Sequence, residues 1–359
     1  MRFHEERPVF VDGPEKKRGG CLVTLVLTLA ALICAGFVLN SAMNRNVKLS
    51  SEKVGVLTLN KSYEGFTVLF LSDLHAQDIG SDTAQWNKLL FGKNWHAAVL
   101  GGDMVGSRGD YEPLLSLIHI LKQMKPDAPI YFIAGDDDPD PILSSAHASA
   151  QVYNEWVTAA VQAGGIYLDA PVCQEFSKKN VWFVPMYLYD TDTAGMAATL
   201  DSLKTQMEQD GRQYTADGGA AYRAVCARLE AMQRSTDAIR QIQSGDLQIA
   251  VNHTPLEADY IRENLEWSNR KDIFSLRSVS LLMCSHLCGG QWCLPGGMPL
   301  YIPDWGLFPG SGNVKGMQRL NSLNFYISPG LGASEKHPLP GRVFNAPGAT
   351  LLKFTAAVQ

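Results

Sequence analysis

Five near-continuous apolar runs in this 359-residue chain each stop on a residue that can hold a metal ion. Segment 66–75 (FTVLFLSDLH) ends on Asp73 and His75, and 97–103 (AAVLGGD) ends on Asp103. Segment 129–138 (PIYFIAGDDD) ends on Asp136, Asp137 and Asp138, and 247–253 (LQIAVNH) on Asn252 and His253. Segment 280–290 (SLLMCSHLCGG) carries His286 and Cys288 just past its apolar core. A run without polar alternation suits a strand covered on both faces, which calls for a layered α/β fold. In open α/β sheets, sites form beyond the carboxyl ends of the strands. Carboxylate, imidazole and amide groups suit Zn²⁺, Mn²⁺ or Fe, whereas a thiolate favours zinc over manganese. Taken singly, each signal is weak. An Asp after a strand is commonly a helix cap or turn residue, and a lone Cys is commonly a small apolar filler. The joint occurrence in one order carries the weight.

Further strands are expected at 54–59, 279–283, 324–327 and 350–354, and helices at 83–90, 113–124 and 152–163. Residues 191–244 are polar and Ala-rich, with Tyr222, Val225, Cys226, Leu229 and Met232 at helical spacing. This reads as a helical insertion with its apolar stripe packed on the domain. Residues 289–316 hold eight glycines and four prolines, with Trp292 and Trp305 among them. This reads as a long ordered loop. The net charge of −5 supplies no basic excess for a nucleic-acid backbone, so no nucleic-acid partner is expected.

One segment stands outside this pattern. Residues 21–39 (CLVTLVLTLAALICAGFVL) contain no charge. At helical rise they span about 28 Å, near the hydrocarbon thickness of a bilayer. A cleaved signal peptide has a shorter apolar core and a small-x-small site, which is not evident here. We therefore read 1–20 as a cytoplasmic tail, 21–39 as a single transmembrane anchor, 40–53 as a linker and 54–359 as the catalytic-type domain. Residues 1–20 carry five Lys+Arg against three in 40–59. That bias orients the domain outside the cytoplasm of a single-pass cell-membrane protein.

The strand-end motifs resemble those of the calcineurin-like metallophosphoesterases, most of all their membrane-associated bacterial branch. That family's pattern runs D-x-H, G-D, G-N-H-D, a histidine after a strand, then G-H-x-H. Asp73–His75 and Gly102–Asp103 match the first two blocks, and Gly135 to Asp138 stands at the third in altered form. Asn252–His253 looks like the fourth, and Ser285 to Cys288 stands at the fifth. The segments around Gly330–Leu331–Gly332 and Pro340–Gly341–Arg342 are similar to the family's closing segment. The resemblance spans roughly residues 50–355. It implies a four-layer αββα sandwich and a two-metal, bridging-hydroxide phosphoesterase acting on phosphomonoesters or phosphodiesters. It implies that Asp73 and His75 hold the first divalent metal ion, that Asp103 bridges, and that Asp136, His253 and His286 hold the second. Cys288 falls where the family has a ligand of the first metal. The metals would be Zn, Mn or Fe, and the substrate a lipid-linked or small phosphoester.

Three departures matter. Asp136 replaces the family's asparagine ligand, which a carboxylate can do. Asp137 replaces a histidine that meets the phosphate, so it would serve as a catalytic acid only if its neighbours raise its pKa. Cys288 replaces the last histidine; it could ligate zinc, or pair with Cys284 or Cys293. Asn252 would orient His253, unless it is only a turn residue. Arg342 would meet a phosphate or serve a structural ion pair. The alternative to an enzyme is a degenerate, membrane-tethered binding or scaffold protein on the same fold. Protease added outside intact cells should digest the C-terminal domain; full protection there would contradict the assigned topology.

Overall fold

The computed structural model describes residues 19–57, 59–143, 152–267, 272–302, 304–310, 313–334 and 341–357. The basic residues before the apolar run, and Pro340 of the closing segment, lie outside the described residues. The chain divides after Ala42 into two units.

The first unit carries helix α1 (Gly19–Asn44). Its stretch Val23–Asn44 is long and apolar enough to cross a membrane, and none of its most apolar window is buried in protein. Leu25, Leu32 and Phe37 are exposed on it. The Thr28 hydroxyl donates to the Thr24 carbonyl at 2.8 Å, so this polar group is satisfied within the helix.

The second unit is mixed α/β. Its strands in chain order are β1 (Lys48–Val56), β2 (Thr67–Leu71), β3 (Ala97–Leu100), β4 (Ile130–Phe132) and β5 (Gly165–Tyr167). Then follow β6 (Val172–Phe176), β7 (Lys179–Pro185), β8 (Leu247–Val251) and β9 (Val279–Cys284). The last are β10 (Trp292–Cys293), β11 (Pro299–Ile302), β12 (Gly306–Leu307), β13 (Gly316–Leu320), β14 (Leu323–Ile327) and β15 (Gly348–Ala356). They form two six-stranded sheets, ordered β1-β15-β2-β3-β4-β5 and β13-β14-β9-β8-β7-β6. Strands β2 to β5 run parallel, as do β7, β8, β9 and β14. Parallel neighbours bring their carboxyl ends, and the residues just past them, to one end of the sheet.

Period-two geometry explains the apolar runs. In β2, Val68 and Phe70 enter one apolar cluster while Leu69 and Leu71 enter another. The first cluster lies between the sheets, where Phe70, Val99 and Tyr131 meet Phe183, Ile249 and Met283. The Tyr131 and Phe183 rings stack at 4.3 Å. The second covers the opposite face with α2 (Thr83–Leu90), α3 (Glu112–Met124) and α4 (Glu155–Gln162). Helix α2 begins where Asp82 accepts from the Gln85 N–H at 2.9 Å, and it buries Trp86 and Leu90 four residues apart. On the outer face of the other sheet, Trp182 and Val184 pack with Met232, and Ala250 and Leu282 pack with Ile261 and Leu265.

The expected helical insertion is α5 (Thr193–Gln209) followed by α6 (Ala216–Gln241); α7 (Ala258–Trp267) comes later. Val225, Leu229 and Met232 of its stripe are buried. The strand expected at 54–59 begins earlier, at Lys48, and pairs with β15 along its whole length. Much of the expected 40–53 linker is therefore the end of α1 and the start of β1. The polar edge of the sheet hid it, since only Val54 of that strand is buried. The Gly-rich loop is ordered, as expected, and contains a three-stranded sheet, β10-β11-β12, that the sequence did not announce. Trp292 packs on Tyr301 with ring centroids 4.9 Å apart, whereas Trp305 is half exposed.

Candidate metal centre

The residues past β2, β3, β4, β8 and β9 converge where the two sheets meet. The Asp73 N–H donates to the Gly102 carbonyl at 3.0 Å and the His75 N–H to the Asp103 carbonyl at 2.9 Å. These bonds knit the loops after β2 and β3. The other sheet joins through His286, whose N–H donates to Asp73 Oδ1 at 2.9 Å. Ser285 reaches across as well, with its hydroxyl donating to the Gly101 carbonyl at 2.5 Å.

Close approach demands glycine at two points. A Cβ on Gly102, at φ +91°, would lie 2.6 Å from His253 Nδ1. A Cβ on Gly135 would run into the Asp103 carboxylate. The candidate ligands themselves hold left-handed backbone: Asp73 at φ 51°, His75 at 46°, Asp103 at 52°, His286 at 73° and Cys288 at 47°. Such conformations in non-glycine residues cost on the order of 1–3 kcal/mol each and cluster at functional sites.

Among the described residues, three groups of side chains could each hold a metal ion, with ligand atoms within 4.8 Å of one another. The first is Asp103, Asp136, His253 and His286; the second is Asp73, His75 and Cys288; the third is His75, Asp103 and Asp137. Asp103 therefore belongs to groups on both sides. Its Oδ2 lies 3.0 Å from His253 Nε2 and 3.8 Å from His75 Nε2. Asp136 Oδ1 lies 2.8 Å from His253 Nε2 and 2.9 Å from His286 Nδ1. Cys288 Sγ lies 3.8 Å from His75 Nε2.

The described cysteines are all free thiols, so Cys288 pairs with neither Cys284 nor Cys293. Cys284 faces an apolar cluster, and burial pushes its thiol up to about 12. Cys293 donates to the Gly290 carbonyl at 3.0 Å.

The charges are mutually dependent. Burial raises the Asp73 carboxyl and pushes the Cys288 thiol well up. Burial alone would raise Asp103, but a hydrogen bond from His253 wins and holds it below the usual carboxylate range. Hydrogen bonds from His253 and His286 hold Asp136 lower as well. Burial alone would lower His253, but its bonds to Asp103 and Asp136 raise it well above the ordinary imidazole value. His286 follows the same balance, through Asp136. Protons on the imidazoles thus stand where cations would sit, and metal ions binding there would displace them. This donor set of carboxylates and imidazoles, with one thiol, fits divalent cations.

Asp137 faces inward. Its N–H donates to Asp103 Oδ1 at 2.8 Å, the Ser334 hydroxyl donates to its Oδ2 at 2.6 Å, and that oxygen lies 3.8 Å from His75 Nδ1. The Asn252 amide donates to the Thr254 carbonyl at 2.7 Å, within its own turn. Arg342 is buried and gives its guanidinium protons to the carbonyls of Asn345, Gly332 and Pro329 at 2.6–2.8 Å. That makes it a clamp on the closing segment.

Two residues escaped the sequence reading in these roles. Asp138 accepts from the N–H groups of Val105, Gly106 and Gly135 at 2.9–3.0 Å and from Met104 at 3.3 Å. It fastens the loop after β3 to the loop after β4. Asp304, from the Gly-rich loop, lies 2.7 Å from His286 Nε2. No spacing rule pointed to it.

No family model matches this sequence, and no curated protein matches it. Among solved structures, the chain is similar to a phosphopantetheinyl hydrolase from Mycobacterium tuberculosis. That likeness covers 74% of this chain and 89% of the other, at 11% identity and a TM-score of 0.33.

Asp138→Ala should strand up to four N–H groups and lower unfolding stability by about 3 kcal/mol. Asp138→Asn, which keeps one acceptor oxygen, should lose less. Denaturant unfolding of the full chain in detergent measures both. A change within about 0.5 kcal/mol for the alanine variant would place Asp138 outside this role.

Proposed function

We propose that this chain is a membrane-anchored, metal-dependent phosphoesterase of the calcineurin-like type, hydrolysing a phosphomonoester or phosphodiester. The observation that carries the reading is the convergence of the three metal-capable groups, with Asp103 common to two of them. The two sheets, with helices on their outer faces, are read as a four-layer αββα sandwich. Helix α1 is read as the anchor, with the domain outside the cytoplasm.

In this reading Asp136, His253 and His286 would hold one divalent cation and Asp73, His75 and Cys288 the other, with Asp103 able to contribute to both. When bound, such a pair of cations lowers the pKa of a water and neutralises charge on the phosphoryl oxygens. The protein's own part is to fix the donors and to keep one side open. The Gly101 carbonyl lies 2.8 Å from His253 Nδ1 and accepts its N–H, which leaves Nε2 facing Asp103 and Asp136. The Asp136 side chain is 49% exposed and that of Asp304 is 61% exposed, while those of His75, Asp103 and Asp137 are nearly covered. A phosphoester would approach from the side of Asp136 and Asp304. Asp137, turned toward His75, is assigned here to shaping the ligand set rather than to protonating the leaving group.

That assignment also favours a second reading. The position where the family has its phosphate-facing histidine holds an inward carboxylate. A protein that binds cations without turnover would fit the tethered binding protein instead.

The test is hydrolysis of aryl phosphate monoesters and diesters by the full chain, with Mn²⁺ or Zn²⁺ added. Activity should be abolished by a chelator and should fall about 100-fold or more in Asp103→Asn, since a metal clamp supplies several kcal/mol. Activity that survives Asp103→Asn would remove the bridging assignment. Metal binding without turnover would select the second reading.

A further inference from the structure

An imidazole ligates a metal through one nitrogen, and the partner of the other nitrogen sets its tautomer and aim. His253 has the Gly101 carbonyl at its Nδ1 for this purpose. His286 is oriented the other way round. Its Nδ1 faces Asp136 Oδ1 at 2.9 Å and His253 Nε2 at 3.3 Å, so the cation side is Nδ1. Its Nε2 lies 2.7 Å from Asp304 Oδ2.

Asp304 reaches His286 from the turn between β11 and β12. That turn is anchored rather than free. Tyr301 pairs with Leu307, Ile302 pairs with Gly306, and the Trp305 N–H donates to the Ile302 carbonyl at 3.2 Å. Ile302 is fully buried against the core behind β9. Asp304 itself sits at φ 63°, a left-handed conformation that non-glycine residues rarely adopt. Helix-capping and turn roles do not require its carboxylate to meet an imidazole, yet that is where the turn aims it.

We propose that Asp304 is the positioning residue of His286: its carboxylate accepts a hydrogen bond from Nε2–H and so would present the Nδ1 lone pair to the cation shared with Asp136 and His253. This rests on the two-cation reading given above. It assigns the Gly-rich segment a part in the metal centre that no motif spacing disclosed. It also means that the two imidazoles of this group are aimed by different chemistry, His253 by a backbone carbonyl and His286 by a carboxylate on a separate turn.

The test is isothermal titration of the metal-stripped full chain in detergent with Zn²⁺ and, separately, Mn²⁺. Wild type should show two binding events. Asp304→Ala should weaken one of them about 10–100-fold and leave the other within about twofold. Asp304→Asn, whose amide oxygen still accepts a proton, should recover part of the loss. Thermal unfolding of the stripped variants should match that of stripped wild type, which separates aiming from a general structural role. Equal weakening of both events, or no weakening of either, would overturn the inference while leaving the two-cation reading intact. An asparagine variant as weak as alanine would also overturn it, since charge alone would then account for the effect. A wild type that binds fewer than two cations would remove the two-cation reading and the inference with it.

Discussion

Buried carboxylates are costly unless each meets a proton, an imidazolium, a set of N–H donors or a metal ion. This constraint organises the end of the two sheets where five strands finish. Asp73, Asp103 and Asp137 are all buried there, with Asp136 beside them at the open side. Asp138 meets backbone N–H donors, which offset part of its burial, although its carboxyl remains raised. Asp103 and Asp136 solve it with His253 and His286. Asp73 takes one N–H from His286 and a short bond from the Ser72 hydroxyl, yet its carboxyl remains raised. Divalent cations would settle the whole set at once. They would release the imidazole protons and let the Asp73 carboxyl and the Cys288 thiol ionise.

The backbone serves the same end. Five candidate ligands hold left-handed conformations, and the strands behind them, β2, β3 and β9, are buried at every residue but Ser280. The rigid sheets over-determine the loops, so the strain persists. Asp138 and Arg342 act as two further fasteners, one between the loops after β3 and β4, the other within the closing segment. The centre is therefore a feature of strand ends, with one outlying contribution from the turn that carries Asp304.

Much of this was legible in the sequence because buried parallel strands write continuous apolar runs. The strands at 97–100 and 247–251 fill the apolar part of their runs, and the helix at 83–90 matches its expected bounds. All seven candidate metal ligands fall into the groups the structure brings together. What escaped has physical reasons. The hairpin of β6 and β7 turns at Ser177 and Lys178, both with positive φ, and neither is the glycine or asparagine that normally signals such a turn. Strand β1 carries mostly polar residues at an edge. The orientation of Asp137 depends on Ser334, nearly two hundred residues away, and the role of Asp304 depends on the register of two short strands. Contacts of that kind leave no local pattern.

The account turns on whether cations occupy the strand ends. Anomalous diffraction at the zinc and manganese edges, from crystals of the metal-loaded protein, tests this most directly. It should show two peaks flanking Asp103, one among Asp136, His253 and His286 and one among Asp73, His75 and Cys288. Clear density for these side chains with no anomalous peak between them would contradict the account.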